Sequence, residues 1–132
     1  ILAPQYTKYV EKSRKAADAA NLENLVTVVK TAASDSTDTI EAGTYTITLS
    51  NTANVTVKDD QGTDMKNKVN KVFNEFAGND WANTKLKSKK WTNDNKGDGA
   101  VTNTISATVV VGEDGSVTVT YNPKSLKTTV NK

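Results

Sequence analysis

The amino-acid sequence predicts an α+β fold in which a long N-terminal α-helix packs on an antiparallel β-sheet, with one additional short helix. Apolar and small residues recur at helical spacing through the first 33 residues, and a central stretch repeats that spacing. Two further stretches alternate apolar with polar residues, as half-buried strands do. Because the 132 residues contain no internal repeat and no long linker, we expect one domain.

Within this domain, residues 1–33 are expected to form a spine helix whose first half projects from the rest. Residues 34–132 are expected to form an antiparallel-sheet head, which makes one domain with the C-terminal half of the helix. A polar connector of Ser, Thr and Asp, residues 34–39, separates the two parts and should end the helix.

The first helix, predicted from Tyr6 to about Ala33, changes its apolar face partway along. Successive helical residues are turned by about 100°, so the first half carries charged residues on one side and small or aromatic residues on the other. Beyond Asn21 the sides exchange, and large apolar residues project where the early charges pointed. The early charged residues are Lys8, Glu11, Lys12, Arg14, Lys15 and Asp18. The opposite side, here called the stem face, comprises Tyr6, Tyr9, Val10, Ser13, Ala16, Ala17 and Ala20. The helix-to-sheet core comprises Leu22, Leu25, Val26 and Val29.

Such a helix would bury two faces against two different partners, the sheet and something outside the domain. The alternative is a break near Asn21, which would give two short helices that pack separately within one globule.

Two pairs of strands are predicted. Residues 44–50 alternate strictly and lead through a turn at residues 50–52 into residues 53–57. Residues 105–111 and 117–121 form the clearest hairpin, across the turn at residues 112–115. The apolar residues that should face inward are Tyr45, Ile47, Leu49, Ala53, Val55, Val57, Ile105, Ala107, Val109, Val111, Val117, Val119 and Tyr121.

The second helix is predicted to begin after a cap at Thr63 or Asp64 and to end at Gly78, lying on the sheet through its Phe side. It should have about 14 residues. After it, residues 85–90 are rich in lysine, and we interpret them as a strand with Leu86 inward. Residues 93–99 should form a solvated loop. The apolar positions of the second helix are Met65, Val69, Val72, Phe73 and Phe76.

The composition disfavours several classes of function. The absence of cysteine rules out disulfides, thiol catalysis and thiolate metal sites. The absence of histidine removes the usual general base and the commonest transition-metal ligand. The formal net charge is +2, with lysines scattered among carboxylates, which does not favour a dedicated nucleic-acid surface. We therefore predict that the protein is not an enzyme and has no catalytic residues, cofactor or metal.

The N-terminal residues resemble those of a type IV pilin. In that family a very hydrophobic segment runs into a proline, followed by a charged helix that contains alanine. The matching residues here are Ile1-Leu2-Ala3-Pro4-Gln5-Tyr6 and Tyr9-Val10-Glu11-Lys12-Ser13-Arg14. The resemblance covers about the first thirty residues, and beyond them the agreement is one of architecture. Without the C-terminal cysteine pair of many Gram-negative pilins, the chain looks more like the pilins of Gram-positive bacteria such as clostridia.

The resemblance implies a structural subunit of an extracellular type IV pilus that supports adhesion, motility or DNA uptake. Its partners would be like subunits, which the stem face would contact, and the pilus assembly machinery. Pro4 would mark a bend in the full spine helix. Because the chain opens on Ile1 and its only methionine is Met65, we expect a missing upstream segment to supply the membrane anchor. As given, the chain should be a monomer.

Several alternatives stay open on the sequence alone. A pseudopilin or minor pilin of a type II secretion or competence system would share the helix, and a secreted carbohydrate-binding module would use Trp81 and Trp91. Core packing is the other interpretation of these two side chains. The lysines of residues 85–90 could meet polyanions or guard a solvated edge strand. The aspartates near residues 59–64 and 94–98 lack the full spacing of a calcium loop.

Overall fold

The computed structural model describes residues 4–34, 40–92 and 103–126. Helix α1 comes first and is followed by two strands, a second helix and a single 3₁₀ turn, and a β-hairpin ends the described chain. This arrangement confirms the predicted α+β fold. In chain order the elements are α1 (Pro4–Ser34), β1 (Gly43–Ser50), β2 (Thr56–Lys58), α2 (Lys66–Ala77), the 3₁₀ turn (Trp81–Asn83), β3 (Thr104–Val111) and β4 (Val117–Asn122).

The four described strands form one antiparallel sheet in the order β2-β1-β3-β4. The central pair, β1 and β3, is in register over its full length, so that Tyr45 lies opposite Val109 and Ile47 opposite Ala107. These residues are buried, whereas the hydroxyl residues between them lie on the other face. On that outer face the hydroxyl oxygens of Thr46 and Thr108 are 3.3 Å apart. The alternation in the sequence therefore predicted β1, β3 and their inward faces correctly. The predicted strand over residues 53–57 is wrong in its first half, because β2 comprises only Thr56–Lys58 and Ala53 is exposed.

Helix α1 is unbroken over 31 residues, so the alternative of a break near Asn21 is wrong. At the standard rise it is about 46 Å long. Its C-terminal half packs on β1 and β3 and also contacts α2. Each large aliphatic side chain buried there contributes about 1.5 to 3 kcal/mol, so this half of the helix is held by the head.

Helix α2 is shorter than the predicted 14 or so residues, and it does not lie on the sheet through its Phe side as predicted. The Asp64 carboxylate accepts a hydrogen bond from the Lys66 N–H at 2.8 Å. Gly78 ends the helix with a φ of 88°, and its N–H donates to the Asn74 carbonyl. Phe73 is fully buried, but Phe76 is 43% exposed, because α2 lies against α1 and β2 and does not cover the centre of the sheet.

The lysine-rich segment is irregular, so the predicted strand at residues 85–90 is wrong, although Leu86 is buried as expected. The N–H of Leu86 donates to the Ser50 carbonyl at 3.0 Å, but the next two N–H groups bind a side chain of α1. Those donors cannot also extend a β-ladder, which is the physical reason for the difference. The predicted loop at residues 93–99 lies outside the described residues.

Candidate functional site

The N-terminal half of α1 has two sides with different environments, and together they form the candidate site. The stem face is turned away from the head by roughly 180°, from the helical angle of 100° per residue. Tyr6 is 53% exposed and Tyr9 is 69% exposed. Ser13, Ala16 and Ala20 are also exposed, while Val10 and Ala17 are half-buried. The helix-to-sheet core, Leu22, Leu25, Val26 and Val29, is buried on the opposite side.

The exchange of polar and apolar residues between the two sides of α1 is explained by two straight rows along the helix. A single row along α1 faces the head throughout, and it is polar in the first half and apolar in the second. The row on the opposite side is apolar in the first half, at the stem face, and continues into the exposed polar residues Asn24, Thr27 and Thr31. Pro4 begins the helix, where its missing N–H costs no hydrogen bond. The bend expected at Pro4 also concerns residues 1–3, which lie outside the described residues.

Asp18 is the largest departure from the sequence-based expectation. It is one of the early charged residues of the first helix, yet it is 0% exposed. Its carboxylate accepts three hydrogen bonds from the segment after the 3₁₀ turn, from the N–H of Lys87 at 2.7 Å, the N–H of Ser88 at 2.9 Å and the indole N–H of Trp91 at 2.9 Å. Three donors compensate a buried charge that would otherwise be costly to desolvate.

Glu11 extends this contact by two turns of the helix. The Ser88 hydroxyl donates to the Glu11 carboxylate, and the Lys90 N–H donates to the Ser88 hydroxyl oxygen at 3.1 Å. The Arg14 guanidinium lies 3.9 Å from the other oxygen of Glu11. We call Glu11 and Asp18 with residues 87–91 the clasp. The clasp attaches the polar row of the N-terminal half of α1, which we call the stem, to the head. The stem face is therefore left on the outside.

The signal for the clasp was present in the sequence but was not recognised. Asp18 lies four residues before Leu22, and residues four apart share one helix face. The row that contains Leu22 must therefore include Asp18, and an acidic residue at such a position needs hydrogen-bond donors. What the sequence could not supply was the identity of those donors, which lie about 70 residues later.

Two grooves flank the stem face. The first, about 390 Å³, is lined by stem-face residues together with Arg14 and Lys87. The second, which we call the stem groove, has a volume of about 550 Å³. Its two charged residues are both lysines, and the Nζ atom of Lys15 lies 5.0 Å from the ring centroid of Trp91. The residues that line the stem groove are Tyr9, Lys12, Ser13, Lys15, Ala16, Trp91 and Ser125.

Both tryptophans are buried and belong to the core. The Trp81 ring packs edge-to-face on Phe73 with the centroids 4.6 Å apart, and its indole N–H donates to the Asn74 side chain at 3.0 Å. Trp91 is held by Asp18. Neither indole presents a flat exposed face, which is what a sugar-binding platform needs.

The described residues form neither a metal site nor a membrane-spanning helix. No group of three or more acidic side chains there is arranged to hold a metal ion. Within residues 4–34, 40–92 and 103–126, no helix has the length and apolar character needed to cross a membrane.

Comparisons with models of known protein families, with curated proteins and with solved structures found no match.

Proposed function

We propose that this chain is the head and part of the spine helix of a structural subunit of a type IV pilus, a surface filament outside the cell. In this proposal the stem face packs against neighbouring copies. The pilus assembly machinery is the other partner, and an upstream apolar segment holds the subunit in the membrane before assembly. The protein has no catalytic role.

The observation that carries the proposal is the outward position of the stem face. In a helix that packed only against its own domain, the tyrosines and alanines would be buried and the carboxylates would be exposed. In α1 the arrangement is the reverse, because Asp18 is buried and Tyr9 is 69% exposed. Exposed aromatic side chains with a polar tip are common at protein interfaces, since they supply apolar area and tolerate water before assembly.

The small residues and the clasp support the same function. Ala16, Ala17 and Ala20 keep the helix surface narrow, so the backbone of a second helix can approach closely. The clasp holds the stem at a defined position relative to the head, so the stem face is presented rigidly. Pre-organised surfaces lose less conformational entropy on association.

A secreted carbohydrate-binding module is the less favoured candidate. It would depend on exposed aromatic rings, and Trp81 and Trp91 are both buried. A pseudopilin or minor pilin would use the same stem face, so it differs from a major pilin in abundance and partners.

The proposal is tested by the substitution Ala17→Glu. A bulky charge in the centre of the stem face should leave the domain folded, because Ala17 is only half-buried and a longer side chain there can extend toward solvent. The same charge should prevent entry into filaments, since an unpaired charge in a buried interface costs several kcal/mol. Folding is checked by circular dichroism and thermal unfolding, and filament entry by immunogold labelling of cells that express the full-length variant.

Thr56→Glu, on the exposed side of strand β2, is the matched control and should enter filaments normally. Unfolding of the isolated Ala17→Glu domain would show that the head itself needs the stem face. Normal filaments from the Ala17→Glu chain would show that the stem face is not an assembly surface. Either result would contradict the proposal.

A further inference from the structure

The stem groove carries positive charge that no described contact neutralises. Lys12 is exposed, and the Nζ atom of Lys15 lies over the Trp91 ring. The other lining residues include Tyr9, Ser13 and Ser125, each of which carries a hydroxyl group. The groove therefore suits a small acidic element that can accept hydrogen bonds.

The β3–β4 turn, residues 112–116, is an acidic element of that kind, and we call it the hairpin tip. Glu113 and Asp114 are exposed at its end. The Ser116 N–H donates to the Asp114 carboxylate at 3.1 Å, and hydrogen bonds from Ser116 hold the pKa of Asp114 below its usual value. The Gly112 N–H donates to the Ser116 carbonyl at 2.8 Å, and the Gly115 N–H donates to the Gly112 carbonyl at 3.0 Å, so the turn is closed by its own backbone.

The two features lie beside different halves of α1. The hairpin tip is beside the C-terminal end of α1, where a Cβ placed on Gly115 would lie 3.4 Å from the Ala33 carbonyl oxygen. The stem groove is at the level of Ser13, which is 20 residues earlier on α1 and hence about 30 Å away. Strand β4 begins just after the tip, and the chain reaches Ser125 in the groove soon after β4 ends.

We propose that the hairpin tip of one copy docks in the stem groove of the next copy along the helix axis. The proposal rests on the filament function above and adds which surfaces of successive subunits meet. A contact between two different surfaces of identical subunits, displaced along one axis, repeats without closing and gives an open filament. The acidic tip and the basic groove make the contact complementary in charge.

This docking contact is weak when it acts alone. One turn in one groove buries far less than the roughly 1,200 Å² of a stable interface. The isolated chain is therefore a monomer in dilute solution and associates through this contact only at high concentration or within a filament.

Disulfide cross-linking of the complete 132-residue chain tests the contact, because the chain has no cysteine of its own. The variant that carries both Glu113→Cys and Ser125→Cys should give a ladder of dimers, trimers and longer species after mild oxidation. The two single variants should cross-link when mixed and should give little product alone. Asp60→Cys with Ser125→Cys is the matched control, since Asp60 lies in another exposed acidic turn.

A ladder no stronger than that of the control would overturn the proposal, and so would homodimers from either single variant. A groove filled by residues 127–132 of its own chain would give no ladder until those residues are removed, and this result would overturn the proposal too. An intramolecular disulfide would contradict the separation of about 30 Å.

Charge reversal gives an independent measurement. Lys12→Glu and Glu113→Lys should each weaken self-association about three- to ten-fold at low salt, measured by light scattering at millimolar concentration. The double variant should return to within about two-fold of the original chain, and Lys58→Glu should have no effect. If the double variant self-associates as weakly as the single variants, the proposed charge pairing is overturned.

The filament function and the docking contact fail in distinguishable ways. Surface filaments that contain the cysteine variant but show no link between the two positions would overturn the docking contact alone. A cross-linked ladder from a chain that never enters a surface filament would overturn the filament function and leave the docking contact standing.

Discussion

Replacing Asp18 with alanine should be among the most damaging single substitutions in this protein. The change removes a buried carboxylate and leaves three donors without a partner, the N–H groups of Lys87 and Ser88 and the indole N–H of Trp91. Hydrogen bonds to a charged group are worth about 1.5 to 3 kcal/mol each. They are not additive, and water can replace part of them, so we expect a loss of about 3 to 5 kcal/mol in the free energy of unfolding.

Urea denaturation followed by tryptophan fluorescence measures this loss. With an m-value near 2 kcal/mol/M, the midpoint should fall by about 1.5 to 2.5 M. Asp18→Asn keeps the side-chain volume but turns an amide donor toward other donors, so its midpoint should lie between those of the original chain and Asp18→Ala. Asp60→Ala, at an exposed carboxylate, should change the free energy of unfolding by less than about 0.5 kcal/mol.

Hydrogen exchange separates local from global effects of the same substitution. In Asp18→Ala the amides of residues 84–92 should lose protection before those of strands β1 and β3, because the clasp anchors that segment to α1. A midpoint within about 0.3 M of the original chain, or unchanged protection at Ser88, would refute the argument that Asp18 holds the stem to the head.

Two further predictions concern the head. Phe73→Ala should cost about 3 to 5 kcal/mol in the free energy of unfolding, since Phe73 is fully buried against Trp81. Phe76→Ala should cost less than about 1.5 kcal/mol. Equal urea midpoints for the two variants would contradict this packing. Burial, with a smaller effect of Glu41, raises the pKa of Tyr45 above its ordinary value of 10.0. The stability associated with the neutral phenol is therefore complete below about pH 10 and is lost as the pH rises through the higher native pKa. The original chain should be about 1 kcal/mol more stable than Tyr45→Phe at pH 8, because the Tyr45 hydroxyl donates to the Glu41 carbonyl. This advantage should shrink by pH 11, and an advantage independent of pH would contradict it.

The strands and helices followed from local pattern to a large extent. Strict alternation at residues 44–50 and 105–111 predicted β1, β3 and their buried sides, because a pleated strand with one face on a core has a period of two. The helical period similarly predicted α2 and Gly78 as its end. These features depend on neighbours in sequence, so one sequence is enough to find them.

The lysine-rich segment shows where local pattern was insufficient. Residues 85–90 alternate well enough for a strand, and Leu86 is indeed inward. Whether such a segment joins a sheet depends on which acceptors its N–H groups bind, and two of these N–H groups donate to the Asp18 carboxylate. That contact joins residues about 70 positions apart, and no local rule predicts it.

The sequence by itself determined the α+β fold, the inward faces of the central strands and the exchange of apolar faces along α1, because helical and strand periodicity are local properties. Only the tertiary structure decided that Asp18 and Glu11 face the head, and therefore that most of the stem face is exposed. The physical reason is that a buried carboxylate needs several donors at once, and only the folded chain brings residues 87–91 to the first helix.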